Sequence, residues 1–236
     1  MPVNFLTHKN YSINYEELYN ELMSNPFLDN IQIQSMYLKL WIQQLKEQDE
    51  IEVKQLKDDN FVQLMLKEDF EAPERYMLDI NYKSGTINIF FRVSRMLQLI
   101  QSTNNTGVVQ EIPIKDFTKT NSYIKWNRTE YSSRVKESPI VLIPMTIDKY
   151  IKLIVVDGNH RLTEWEKIGR QKIPCYIIDE QFIIDNNFLC SGFSKLMYIF
   201  QNEIVALGTY TKRDHINAMI LMNKIFFKTG KILYNV

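Results

Sequence analysis

Apolar residues follow two different periods along this chain, and the period changes from region to region. Helical spacing predicts helices over 12–23 and 32–48, and again over 189–206 and 213–228. Two runs that alternate at every second position flank Lys83-Ser84-Gly85 and predict a β-hairpin near 76–91. Further strands are predicted at 109–114, 139–144, 151–156 and 173–178, with helices at 95–101 and 159–168. This mixture predicts an α+β fold.

One segment predicts a boundary. Residues 102–107 read Ser-Thr-Asn-Asn-Thr-Gly, which are all turn formers. We therefore expect an N-terminal α+β region over 1–107, a core with a small mixed sheet over 108–180, and C-terminal helices over 181–236 that pack on this core. The aromatic residues of these last helices either cover the sheet or pair with a second subunit in a homo-oligomer.

The composition argues against three classes: nucleic-acid-coating, disordered and membrane-spanning proteins. The 236 residues carry 28 Lys and Arg against 28 Asp and Glu, which argues against binding nucleic acid by bulk charge. The 12% aromatic content argues against disorder. Neither an apolar run of membrane-spanning length nor a signal peptide is recognisable, so no membrane partner is expected. Cys175 and Cys190 lie in apolar stretches and predict buried thiols, so we expect a reducing, cytoplasmic location.

The candidate functional residues lie in one segment, Val155-Val-Asp-Gly-Asn-His-Arg-Leu-Thr-Glu-Trp165. A buried strand ends there, Gly158 permits a tight turn, and a helix begins at once. The first N–H groups of a helix have no internal partner and attract anions. His160 and Arg161 in the first turn oppose the helix dipole, which is unfavourable unless an anion binds.

The same residues also allow a purely structural interpretation. Asp157 would then cap the helix and pair with Arg161, and His160 would only be exposed to solvent. In both interpretations Leu162, Trp165 and Ile168 are expected to hold the helix on the core, because they follow one another at spacing three.

The string IVVDGNHRLTEWEKIGRQKIP, residues 154–174, resembles the central motif of the ParB/sulfiredoxin superfamily. In that motif a strand leads through a glycine turn with His-Arg or Arg-Arg into a helix, a second glycine and a strand that opens with Ile-Pro. Weaker similarity extends over about 109–179. The resemblance implies a small α/β fold whose helix N-terminus binds nucleotide phosphates, often with Mg²⁺.

The resemblance also implies roles for particular residues. Gly158, Asn159, His160 and Arg161 match the phosphate-binding turn, and Asp157 precedes it as a candidate Mg²⁺ ligand. The candidate catalytic residues are Asp157, His160 and Arg161, with Asp157 or Glu164 as the base. Arg128 and Arg134 are secondary nucleotide-binding candidates, because the corresponding segment of relatives often supplies an arginine.

Departures from the superfamily exclude two of its activities. Asn159 stands where sulfiredoxins have their catalytic cysteine, so no thiol nucleophile is present there. Partition proteins carry a helix-turn-helix domain after the motif, whereas only about 55 residues follow the core here.

The function expected from these observations is nucleotide binding. The chain would be a Mg²⁺-dependent phosphotransferase or phosphohydrolase, a kinase or NTPase, that uses ATP, ADP or CTP on a small-molecule acceptor. Two alternatives stay open: a nucleotide-sensing regulatory or interaction protein without rapid catalysis, and a nucleic-acid-processing protein of a mobile element. The latter would need a local basic groove despite the zero net charge.

Overall fold

The computed structural model describes residues 2–5, 9–102, 109–130, 137–147 and 150–214. Within these ranges the chain forms an α+β fold with three sheets. Its elements in chain order are β1 (Val3–Asn4), β2 (Lys9–Asn10), α1 (Tyr15–Ser24), α2 (Ile31–Gln55), α3 (Asp59–Glu71), β3 (Arg75–Tyr82), β4 (Gly85–Arg92), α4 (Val93–Ser102), β5 (Gln110–Pro113), α5 (Ile114–Thr118), β6 (Ile124–Lys125), β7 (Ile140–Ile147), β8 (Tyr150–Asp157), α6 (Asn159–Lys167), β9 (Lys172–Ile177), α7 (Glu180–Asp185) and α8 (Gly192–Asp214).

The chain divides into two compact units, neither of which is continuous in sequence. Unit 1 contains residues 1–68, 77–90 and 190–236, and unit 2 contains 69–76 and 91–189. This division differs from the predicted boundary at 102–107, because α4 belongs to unit 2 and most of the β3–β4 hairpin belongs to unit 1. Turn-forming residues indicate where a chain bends, but they do not indicate which distant segments pack together.

Unit 2 is built on a five-stranded mixed sheet with the order β5-β9-β7-β8-β6. Strand β7 pairs antiparallel with β8 and parallel with β9, whereas β5 joins β9 antiparallel and β6 joins β8 in parallel. The β7–β8 pair includes a register shift between Val141 and Leu142. The central strand, β7, contacts α6, and its neighbour β8 leads directly into this helix.

The core of unit 2 fixes α6 against this sheet. Leu162 and Trp165 of α6 are fully buried, in a cluster that includes Ile140 and Val155 of the sheet. Ile168 is 66% exposed, so the prediction that it also holds the helix on the core is wrong. The helix ends just before it, and Gly169 follows in the left-handed conformation at φ +73°, as expected for a residue after a C-cap.

Unit 1 is mainly helical, with α2 packed between α1 and α8. Its core contains an aromatic cluster in which Tyr37 and Trp41 of α2 contact the Phe200 ring of α8. The Tyr37 hydroxyl donates to Glu203 Oε2 at 2.8 Å. Burial and the Glu203 carboxylate both raise the pKa of Tyr37, so this hydroxyl stays protonated.

Several elements differ in extent from their predictions. α1 begins at Tyr15, after the predicted start at 12, and is capped by Asn14, whose side chain accepts from Glu17 N. α2 continues to Gln55, beyond its predicted end at 48, and α3 follows in a region for which the periodicity predicts no element. α8 is unbroken to Asp214, so the predicted helix start at 213 is wrong, and the rest of that predicted helix lies outside the described residues. Within the described ranges, no helix has the length and apolarity needed to cross a membrane.

Candidate anion-binding site

The turn between β8 and α6 is formed by Gly158 in a left-handed conformation, with φ +96°. A Cβ at this position would overlap Ile140 Cγ2 and would lie 2.9 Å from Ile140 Cβ and 3.0 Å from Arg161 Nη2. Glycine is therefore required both by the backbone and by the space. Because Gly158 is the N-cap and has no side chain, no side-chain cap covers the first N–H groups of α6.

Arg161 and Asp157 form a nearly buried ion pair beside this turn. Arg161 Nη2 donates to Asp157 Oδ2 at 2.5 Å and to the Pro139 carbonyl oxygen at 3.3 Å. The Arg161 and Asp157 side chains are only 16% and 10% exposed. The pairing expected in the structural interpretation is thus present, but Asp157 does not cap the helix.

Asn159 uses both ends of its amide within the protein. Its Oδ1 accepts from Asn127 N at 2.9 Å, and its Nδ2 donates to the Val155 carbonyl oxygen at 3.1 Å. The side chain therefore holds the segment around Asn127 to the end of β8. Any contribution of Asn159 to a bound phosphate must come from its backbone N–H.

Of the two arginines suggested as secondary nucleotide-binding residues, Arg128 and Arg134, the structure describes Arg128. Arg128 donates through Nε and Nη2 to the two carboxylate oxygens of Glu166, at 3.0 and 2.5 Å, and its guanidinium lies 5.4 Å from the Trp126 ring centroid. The structure thus places Arg128 beside the second turn of α6 and not at the Gly158 turn. Arg134 lies outside the described residues.

His160 is exposed in the first turn of α6. A further ionisable group near the ion pair, Glu74, was not predicted from the sequence. Loss of hydration and the Asp157 carboxylate raise the pKa of Glu74, and Arg161 partly counteracts them. The Glu74 backbone is fixed by Ser94, whose Oγ accepts from Glu74 N at 3.0 Å and whose N–H donates to the Glu74 carbonyl oxygen at 3.2 Å. No local motif marks Glu74, which is more than 80 residues from Asp157 in sequence.

Three buried polar atoms on α6 have no hydrogen-bond partner in the described part of the chain. They are Nε of Arg161, Oε2 of Glu164 and the indole Nε1 of Trp165, and the first two are three residues apart. Glu164, a candidate base, thus has one of its two carboxylate oxygens buried. Buried polar groups without partners are rare in folded proteins and are concentrated at functional sites.

The Gly158 turn, the start of α6 and the side chains beside them form a corner of unit 2. This corner can donate hydrogen bonds to an anion and can supply carboxylate oxygens to a cation. The uncapped amides of α6 and Arg161 are the donors, while Asp157 and Glu74 are the carboxylates. Among the described residues, no group of three or more His, Cys, Asp or Glu side chains is arranged to hold a metal ion. Mg²⁺ is usually bound by one or two carboxylates together with substrate phosphates, and the two carboxylates fit that requirement.

Comparison with known proteins gave no match to a protein-family model, to a curated protein or to a solved structure. The resemblance over 109–179 thus remains a hypothesis about this chain.

Proposed function

We propose that unit 2 is a nucleotide-binding module of the ParB/sulfiredoxin-like type. The observation that carries the proposal is the start of α6: a left-handed glycine without a side-chain cap stands next to a nearly buried arginine that has an unused N–H. The succession of β8, Gly158, α6, Gly169 and β9 supports the proposal, because the motif that the sequence resembles has a strand, a glycine turn, a helix, a glycine and a strand. ATP, ADP and CTP are the candidate ligands.

In this proposal the amides of the first α6 turn donate to phosphate oxygens, and the turn brings them close because Gly158 has no side chain. Arg161 adds a charge-assisted donor to the same oxygens. His160, which is exposed at the same helix end, can contact a phosphate that extends toward solvent. Asn159 positions the turn through its two hydrogen bonds.

Asp157 and Glu74 would hold Mg²⁺ together with the phosphates. When bound, the ion would neutralise charge on the phosphate oxygens during phosphoryl transfer or hydrolysis. The raised pKa of Glu74 supports this assignment, because burial and the Asp157 carboxylate disfavour the charged form of Glu74, and a cation shared by the two side chains would favour it. Asp157 or Glu164 is the candidate group that accepts the proton of the attacking hydroxyl or water.

Calorimetric titration of the full chain with ATP, ADP and CTP, each with and without MgCl₂, tests the proposal. We expect at least one nucleotide to bind and to raise the unfolding temperature by mass action. Loss of one charge-assisted donor in Arg161→Ala should weaken binding by about 10–100-fold.

Arg128→Gln is the matched control, because it removes an arginine that contacts the same helix but is paired with Glu166. Its affinity should stay within about twofold of the unmodified chain. Absence of binding for all three nucleotides refutes the proposal, and equal losses in the two variants refute the assigned role of Arg161.

Phosphorus NMR on the same mixtures, with serine and other hydroxyl-bearing small molecules as acceptors, separates the two nucleotide hypotheses. Product formation supports a phosphotransferase or phosphohydrolase. Binding without product supports the nucleotide-sensing alternative.

A further inference from the structure

Helix α6 has two polar flanks with opposite hydrogen-bonding states. On one flank Asn159, Thr163 and Glu166 each bond with the segment 127–129, at distances between 2.5 and 3.4 Å. On the other flank Arg161 Nε and Glu164 Oε2 are buried and have no hydrogen-bond partner among the described residues. The contrast between these two flanks lies within one short helix.

The unsatisfied donor and acceptor are suited to each other. Residues three apart on a helix are neighbours, with their Cβ atoms about 5–6 Å apart. A guanidinium and a carboxylate at this spacing normally pair, and leaving both buried atoms without partners disfavours the folded state. The absence of an Arg161–Glu164 bond therefore needs a cause.

The cause is competition for a single guanidinium. Arg161 is held through Nη2 by the Asp157 carboxylate and by the Pro139 carbonyl oxygen. In this position Arg161 satisfies Asp157, which is more buried than Glu164, and leaves Oε2 of Glu164 without a partner. A rotation of the Arg161 side chain toward Glu164 would reverse the situation.

We propose that Glu164 is the alternative partner of Arg161, and that it receives the guanidinium whenever Asp157 is engaged by another group. Glu164 is then a positioning residue: it keeps the charge of Arg161 at the helix start while the Asp157 carboxylate becomes available. The role in ligand binding rests on the proposed function, but the exchange of partners is a property of the chain itself and can be measured without a nucleotide.

A double-mutant cycle tests the exchange through the free energy of unfolding in urea. In the unmodified chain, Glu164→Gln should be slightly stabilising, because it removes a charge whose buried oxygen has no partner. In an Asp157→Asn background the same change should lower the folding equilibrium constant by about tenfold, because it removes the carboxylate that has taken the place of Asp157 as the partner of Arg161. This reversal of sign is the expected result.

Two measurements support the cycle. The Nε–H NMR signal of Arg161 should be protected from solvent exchange in Asp157→Asn and should lose that protection when Glu164→Gln is added. Glu166→Gln is the matched control, since it removes a carboxylate two residues along the same helix that is already paired with Arg128. Its effect should be the same in both backgrounds. Asp157→Ser replaces Asp157→Asn in the cycle if the latter does not fold.

Equal effects of Glu164→Gln in both backgrounds, with no change in the Arg161 signal, overturn the exchange. This failure is distinguishable from that of the proposed function. A chain that shows the sign reversal but binds no nucleotide keeps the exchange and loses the nucleotide assignment. A chain that binds nucleotide but shows no reversal keeps only the nucleotide assignment.

Discussion

Replacing Gly158 by alanine should destabilise the chain through two separable effects. The first is the backbone: an L-residue in the left-handed region costs about 1–2 kcal/mol. The second is steric, since the new Cβ would overlap Ile140 Cγ2, and Ile140 is fully buried and cannot move freely. Overpacking of this kind costs about 1–3 kcal/mol. The free energy of unfolding should therefore fall by about 2–5 kcal/mol.

Gly169 provides the matched control for this substitution. It also has a positive φ, at +73°, but a Cβ there would meet no atom within 4 Å. Gly169→Ala should therefore cost only the backbone contribution, about 1–2 kcal/mol. The difference between the two variants isolates the contact with Ile140.

Urea unfolding and thermal unfolding followed by circular dichroism measure both variants. For a chain of this size each kcal/mol corresponds to about 2–4 °C, so the unfolding temperature of Gly158→Ala should drop by roughly 5–15 °C. Equal losses for the two glycine variants would show that Ile140 gives way at no cost, and would refute the steric part of the reasoning.

Two further predictions concern the core of unit 2. Burial, with a smaller contribution from Glu111, raises the pKa of the Cys175 thiol from 9.0 to about 12. Because this pKa is higher in the folded than in the unfolded chain, the contribution of the protonated thiol to the free energy of unfolding is complete below pH 9 and is lost as the pH rises toward 12. The unfolding temperature of the unmodified chain should therefore fall more steeply above pH 9 than that of Cys175→Ala. A parallel pH dependence of the two proteins would contradict this. Leu162→Ala should lower the free energy of unfolding by about 2–5 kcal/mol, whereas Ile168→Ala, at an exposed site, should change it by less than about 0.5 kcal/mol in urea titrations. Similar losses for the two would place Ile168 in the core after all.

Periodicity was sufficient to predict the longer elements of both units. The β3–β4 hairpin and, in unit 2, the succession of β7, β8, α6 and β9 are confirmed in the structure, with ends that differ by a few residues. These elements have long, regular patterns and glycines at their turns. The two-residue strand β6 and the helix α7 were not predicted, because segments so short carry too little period to distinguish.

Packing between distant segments accounts for what the sequence left undetermined. The grouping of 69–76 with 91–189 depends on contacts that no local pattern encodes. Glu74 illustrates the point, because its proximity to Asp157 and Arg161 arises only when the segment that precedes β3 joins unit 2. Arg128 is a second example. The sequence suggested it as a nucleotide-binding residue, but its pairing with Glu166 depends on how the segment 127–129 lies along α6.

The charges at the start of α6 are less unusual than the sequence indicated. Two successive basic residues oppose the helix dipole, but Asp157 neutralises Arg161 directly, so of these two residues only His160 has no ionic partner in the described part of the chain. A phosphate that binds at this corner must therefore share Arg161 with Asp157, close to a second carboxylate, Glu74. A free phosphate faces repulsion from both carboxylates, whereas a nucleotide that arrives with Mg²⁺ supplies the cation they would bind. Under the proposed function we therefore expect a metal-bound nucleotide to bind here more tightly than a bare anion, and its affinity should depend on MgCl₂ more strongly than the two basic residues alone would suggest.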